Sequence, residues 1–223
     1  MVGHVLRFEP SFAMAREQLA SGSLGEPLYL YTRQLLPRDG PSNAISAHEQ
    51  FLCLAVNHFD LIRWLHPGRE LDGIESTPIL SGAGGDDALP GLTWSYLEFV
   101  DGSLGVVQLG WNLFRSSITR DEMQYPATGD LKLHIVGTQG VLDLDLAQMG
   151  MRLVDGNGWH FPDTRFWPNL PSQPAGALRN ALEHFFECLY RDRPPLVGSA
   201  EGTEALRLAL RARQHLVQPA ALT

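Results

Sequence analysis

The sequence is short of cysteine, short of positive charge and without a long apolar run. Two cysteines, Cys53 and Cys188, in 223 residues cannot build a disulfide framework. Neither has His or Cys neighbours at ligand spacing, so no zinc or other metal site is expected. Both sit inside apolar helical patterns and are expected to be buried thiols, as in a reducing compartment. Seventeen Lys and Arg against 25 Asp and Glu leave a net charge of −8, which argues against a nucleic-acid partner or an anionic membrane surface. No stretch approaches the roughly 20 apolar residues of a membrane span, and the opening run from Met1 meets Arg7 before a signal-like core can form. A cytoplasmic protein is the expectation. Internal repeats and low-complexity segments are also lacking. The proline-rich stretch Phe161 to Pro174 is too short to separate domains and is expected to wrap a sheet edge.

What is present fits one domain over residues 1–223, with 44% apolar and 19% charged content ordinary for a folded globular chain. Ser11 to Ala20 has no breaker and ends in Ser21-Gly22, as a helix does. Leu28-Tyr29-Leu30-Tyr31-Thr32 reads as a strand. Ala47 to His66 is free of proline and glycine, repeats apolar residues at Leu52, Ala55, Phe59 and Ile62, and stops at Pro67-Gly68. The period then changes to two. Leu92 to Val100, Leu104 to Leu113, Leu131 to Val136 and Val141 to Leu146 alternate, with tight links at Asp101-Gly102 and Gly137-Thr138-Gln139-Gly140, which predicts an antiparallel meander. Met151 to Val154 and Trp159 to Phe161 suggest a further hairpin. Leu178, Leu182, Phe185 and Leu189 mark one closing helix by an apolar stripe, and Ala205, Leu208, Ala209, Ala212 and Leu216 mark another. The expected fold class is α+β: a large, mainly antiparallel sheet with helices on one face and the other face free.

Five segments in order resemble one family. They are Val2-Gly3-His4-Val5-Leu6-Arg7-Phe8, Leu24-Gly25-Glu26-Pro27-Leu28, Asn57-His58-Phe59-Asp60-Leu61-Ile62-Arg63-Trp64-Leu65, Phe99-Val100-Asp101-Gly102-Ser103-Leu104-Gly105 and Ile135-Val136-Gly137-Thr138-Gln139-Gly140-Val141-Leu142. Together, from about Val2 to about Leu216, the chain resembles the C-terminal domain of Gfo/Idh/MocA oxidoreductases. The resemblance implies NAD(P)-dependent sugar or polyol chemistry in a two-domain enzyme, with the nicotinamide site in an N-terminal Rossmann domain. That domain would end before this chain begins, so no cofactor is expected on these residues, and NAD(P) enters only if a Rossmann domain is supplied. The run Gly82-Ala83-Gly84-Gly85-Asp86-Asp87 is a decoy for the dinucleotide fingerprint. Asp87 stands at its third glycine, and Pro90-Gly91 follow where a helix should begin.

The family's chemistry, by the same resemblance, uses a lysine from the other domain with an Asp and a His four residues apart on the long helix. Positions i and i+4 share a helix face, so a carboxylate and an imidazole there can take up a hydroxyl proton together. Here those positions hold Cys53 and Asn57. An amide has no titratable proton near neutral pH, so Asn57 can bind a sugar hydroxyl and cannot deprotonate it. His58 is a weak catalytic candidate: one residue along a helix turns it about 100° away from the Cys53, Asn57, Asp60, Trp64 stripe, and a satisfied, partly buried histidine is the plainer reading. Asp60 is expected to orient a neighbour. Arg7 matches an arginine that the family places near the domain junction, where it serves as a ligand contact or as a plain salt bridge. Trp111 is a candidate sugar platform, with sheet packing as the plainer reading, which also suits His134, Trp94 and Tyr96. The substrate-binding candidates are thus Arg7, Asn57, His58 and Trp111, for a small carbohydrate-like ligand, with a homodimer through the open sheet face as the expected partner. Three readings of function remain open: the substrate-binding and oligomerisation portion of a sugar oxidoreductase, a stand-alone non-catalytic ligand-binding or scaffold protein, and a cofactor-independent lyase or isomerase.

Overall fold

The computed structural model describes residues 1–36, 47–80, 91–110, 130–146, 153–155, 158–160, 164–166, 168 and 175–217. A 3-10 turn, Val5–Phe8, leads into α1, Pro10–Ala20. Glu9 starts this helix with its carboxylate, accepting the Ser11 and Phe12 N–H groups at 2.7 and 3.2 Å, while Pro10 takes the first helical position, where its missing N–H costs nothing. After β1, Pro27–Leu35, come α2, Ala47–Leu65, and the strands β2, Leu71–Leu80, β3, Leu92–Phe99, and β4, Leu104–Gly110. Strands β5, Asp130–Gly137, and β6, Val141–Asp145, follow, then the hairpin β7, Leu153–Asp155, with β8, Gly158–His160, and the helices α3, Gly176–Tyr190, and α4, Ser199–Val217.

The main sheet has six strands in the order β2-β3-β4-β1-β5-β6. The tight hairpins β3–β4 and β5–β6 form as the turn residues require, but the strands are not a simple meander. β1 sits between β4 and β5, parallel to the first and antiparallel to the second. The expected strand at Leu104 to Leu113 is described as far as Gly110, and the region 111–129 lies outside the described residues. Two glycines allow the β1 entry turn to seat against the β5–β6 hairpin. Gly25 has φ +70°, and a Cβ on Gly137 would lie 2.0 Å from the Leu24 carbonyl oxygen.

Alternation along the strands gives the sheet two unlike faces. Leu30, Thr32 and Gln34 of β1, Leu97 and Phe99 of β3, Val107 and Leu109 of β4, and Leu131, Leu133 and Ile135 of β5 are buried under the helices. α2 supplies the other half of this core through Phe51, Leu54, Phe59, Leu61, Ile62 and Leu65, none more than 1% exposed. The opposite face carries the half-buried Tyr29, Tyr31, Trp94 and Tyr96, and no described helix covers it.

Two expectations about burial are corrected. Leu178, Leu182 and Leu189 of α3 are exposed, and Ala177, Ala181 and Cys188 are buried instead. The small side chains let α3 lie close to the Val5–Phe8 turn, and the large ones are left pointing outward. Cys188 is the buried thiol that was expected, whereas Cys53 is exposed because it lies on the outer stripe of α2. Among the described residues no helix is long and apolar enough to cross a membrane, and no group of three or more His, Cys, Asp and Glu could hold a metal ion.

Candidate functional site

The outer stripe of α2 runs Cys53, Asn57, Asp60, Trp64, and its second half forms one wall of a cleft of about 340 Å³ between α1, α2 and the start of α4. Arg7 reaches into this wall from the 3-10 turn. Its Nε and Nη2 donate to Asp60 Oδ2 and Oδ1 at 2.7 and 2.6 Å, and its Nη1 donates to the Leu196 carbonyl at 3.0 Å. The guanidinium also stacks over the Trp64 ring, 5.5 Å from its centroid. Arg7 and Asp60 are 6% and 2% exposed. All three nitrogens of Arg7 and both oxygens of Asp60 are therefore committed, and the pair is a strut joining three parts of the chain. Arg7 is thus held in a buried salt bridge with Asp60 and lines the cleft as well.

One turn toward the helix start, Asn57 is half-buried and its Nδ2 donates to the Cys53 carbonyl at 2.8 Å. Asn is among the side chains that can bond to nearby backbone carbonyls in this way.

His58 lies on the other side of α2, fully buried against the sheet. Its Nδ1 is 2.9 Å from Thr32 Oγ1 and its Nε2 is 2.9 Å from Gln34 Oε1. Both ring nitrogens are thus hydrogen-bonded inside the core, and the Thr32 hydroxyl in turn donates to the Lys132 carbonyl at 3.1 Å. The helical phase turns His58 away from the Asn57 stripe, and its burial is complete rather than partial. Burial lowers the His58 pKa to about 3, because the charged imidazolium would lose its hydration there. The ring is thus neutral at ordinary pH and unsuited to proton transfer near pH 7. The fourth candidate, Trp111, lies outside the described residues.

The state of His58 gives a measurable pH dependence. An unfolded histidine takes its proton near pH 6.5, while the folded one refuses it until about 3. Below pH 6.5 the unfolded state therefore binds more protons, and the stability present above that value drains away on acidification. Between pH 6 and 4 this residue alone should remove about 1.4 kcal/mol per pH unit. Urea unfolding of the wild type and of His58→Gln across that range should show the steeper slope only in the wild type, and equal slopes would refute the assignment.

No family model matches the chain. It is similar to the scyllo-inositol 2-dehydrogenase (NAD(+)) of Bacillus subtilis strain 168, at 24% identity, with 95% of this chain and 58% of that protein aligned. Among solved structures it superposes on the scyllo-inositol dehydrogenase of Lactobacillus casei with bound NAD(H) and scyllo-inositol, with a TM-score of 0.66 and 18% identity over 96% of this chain and 61% of the other. The myo-inositol dehydrogenase of the same organism, in complex with NAD(H) and myo-inositol, gives a TM-score of 0.66 and 18% identity over 97% and 60%. The chain shares the fold of these inositol dehydrogenases. It spans about three fifths of their length, in agreement with the Gfo/Idh/MocA resemblance read from its motifs.

Inositol dehydrogenases of this fold bind NAD(H), yet the residues described here do not suit a dinucleotide. Pyrophosphate needs free N–H groups at a helix start. At α1 they are taken by Glu9, at α4 the Gly198 N–H is taken by the Glu201 carboxylate at 2.9 Å, and at α3 the Ala177 and Leu178 N–H groups donate to the carbonyls of Arg165 and Phe166. Two of these three helix starts present a carboxylate, which repels phosphate. Between β1 and α2 the sequence holds one glycine, Gly40, followed by Pro41, which does not match the glycine-rich dinucleotide fingerprint.

Proposed function

We propose that this chain is the ligand-binding and assembly portion of an inositol- or sugar-dehydrogenase-like protein, and that it performs no redox chemistry alone. The observation that carries this reading is the Cys53–Asn57 step of α2, an exposed thiol followed four residues later by an amide bonded to its carbonyl. By the family resemblance these are the positions of the proton-transferring pair. With an amide in place of the imidazole, the stripe can hold a hydroxyl and cannot take its proton.

In this reading Asn57 contacts a hydroxyl-rich ring ligand, and Arg7 fixes the wall next to it through Asp60 and Trp64. His58 supports α2 from behind. The open sheet face pairs two copies of the chain. Hydride chemistry would require a dinucleotide site on another part of a longer protein or on another chain, and nicotinamide would then approach the α2 stripe from outside the residues described here.

Fluorescence titration of NADH and NADPH against the purified 223-residue chain tests the reading directly. No saturable binding is expected at micromolar ligand, and no oxidation of scyllo- or myo-inositol. Saturable binding at those concentrations would overturn it.

A further inference from the structure

The cleft beside Trp64 has an arrangement of charge that the reading above does not use. Arg16 of α1 and Arg63 of α2 stand on one side, and Glu201 and Glu204 of α4 stand on the other. Among the described residues no ion pair joins the two sides. Each carboxylate bonds within its own element, Glu201 to the Gly198 N–H and Glu204 to Arg207. Arg63 gives Nη1 to the Arg69 carbonyl and lies over the Phe99 ring, 5.9 Å from its centroid, with its remaining N–H groups left for a ligand. The two arginines belong to α1 and α2 and the two glutamates to α4. Here the Arg7–Asp60 strut fixes α2 to the start of the chain, and α4 packs along α2 through Leu208, Ala209 and Ala212 of the shared core.

The gap between them is large enough for a small molecule, at the lower end of the roughly 300–1,000 Å³ of ligand sites. A neutral polyol would leave both charged sides solvated only in part, and a simple anion or cation would satisfy one side and face repulsion from the other. A molecule with a carboxylate at one end and an ammonium at the other satisfies both. Its hydrocarbon middle would lie against Trp64, which lines the cleft and is held by the Arg7 guanidinium over its ring. We propose that this cleft binds a small zwitterion of the amino-acid type, with its carboxylate on Arg16 and Arg63 and its ammonium on Glu201 and Glu204.

The probes are ω-amino acids of increasing length, from glycine to 6-aminohexanoate, added to the 223-residue chain with indole nitrogens labelled. Trp64→Phe assigns the Trp64 signal. At least one member of the series should move that signal saturably at millimolar concentration, and the matching plain carboxylate and plain ammonium should bind at least about tenfold more weakly. Arg16→Gln and Glu204→Gln should each weaken binding about tenfold, whereas Arg213→Gln, outside the cleft, should not. The proposal fails if the Trp64 signal stays still throughout the series, if hexanoate or hexylammonium matches the zwitterion, or if both cleft variants bind like the wild type.

Discussion

Asp60→Ala should destabilise the protein by about 3–5 kcal/mol, a large part of the net stability of a domain of this size. The cost comes from what is left behind. The Arg7 guanidinium, 6% exposed, would keep its bond to the Leu196 carbonyl and its contact with Trp64 while losing both charge-assisted bonds. The loss of attraction is the smaller part; the uncompensated buried charge is the larger. This separates two accounts of the pair. If its role is mutual neutralisation, Arg7→Met combined with Asp60→Leu should recover much of what Asp60→Ala loses, because apolar groups of similar volume can replace a buried ion pair at little cost. Urea unfolding of the three proteins at neutral pH measures it. An Asp60→Ala variant within about 1 kcal/mol of the wild type would show that water reaches Arg7, and that the strut is not buried in solution.

Trp94→Lys should convert a dimer to a monomer. The helices cover one face of the sheet, and the other carries a row of rings: Tyr29 and Tyr31 at 6.4 Å, Tyr31 and Trp94 at 6.1 Å, Trp94 and Tyr96 at 6.3 Å between centroids. Soluble monomers seldom expose more than a few hundred Å² of contiguous apolar surface. Several polar groups sharing this face are paired across strands, Arg33 with Asp130, Lys132 with Asp145 at 2.7 Å and His134 with Asp143 at 2.5 Å, while Glu75 and Glu98 stand exposed beside Tyr96. A second copy could bury the ring row while Glu75 and Glu98, toward the β2 edge, stay at the rim, and a twofold, self-complementary contact is the commonest arrangement of identical chains. Sedimentation equilibrium at micromolar protein should give about twice the 24.7 kDa chain mass for the wild type, and the single mass for Trp94→Lys. A wild-type chain that sediments as a monomer would remove the pairing.

The features legible in the sequence were those written in local period. α2 was readable from its uninterrupted apolar repeat and its Pro67-Gly68 stop, and the β3–β4 and β5–β6 hairpins from their alternation and turn residues. His58 could be placed away from the Asn57 stripe by the angle of one helical residue. What escaped was set by partners far along the chain. The insertion of β1 between β4 and β5 leaves no trace in the period of any of the three. β2 was hard to see because Gly73, Pro78 and the acidic Asp72 and Glu75 belong to an edge strand, where a missing N–H is tolerated. In α3 the apolar stripe was real but its direction was not decided by hydrophobicity. Ala177, Ala181 and Cys188 won the inward positions because small side chains allow close approach. At the candidate site, Arg7 and Asp60 were both singled out, but their mutual bond joins residues 53 apart in sequence, which spacing cannot show.

The position of β1 also sets the order in which the sheet can be assembled. The strand is made early, yet both of its neighbours, Leu104–Gly110 and Asp130–Gly137, come much later, and one of them must be joined in parallel after a crossover through α2. Until then β1 is a ribbon with two unpaired edges, a template for pairing with the wrong chain. Closing those long loops has to precede the burial that rewards it, which places such a topology among slow folders, in the millisecond-to-second range. Its time of greatest exposure to aggregation is therefore during synthesis, before the chain has delivered β4.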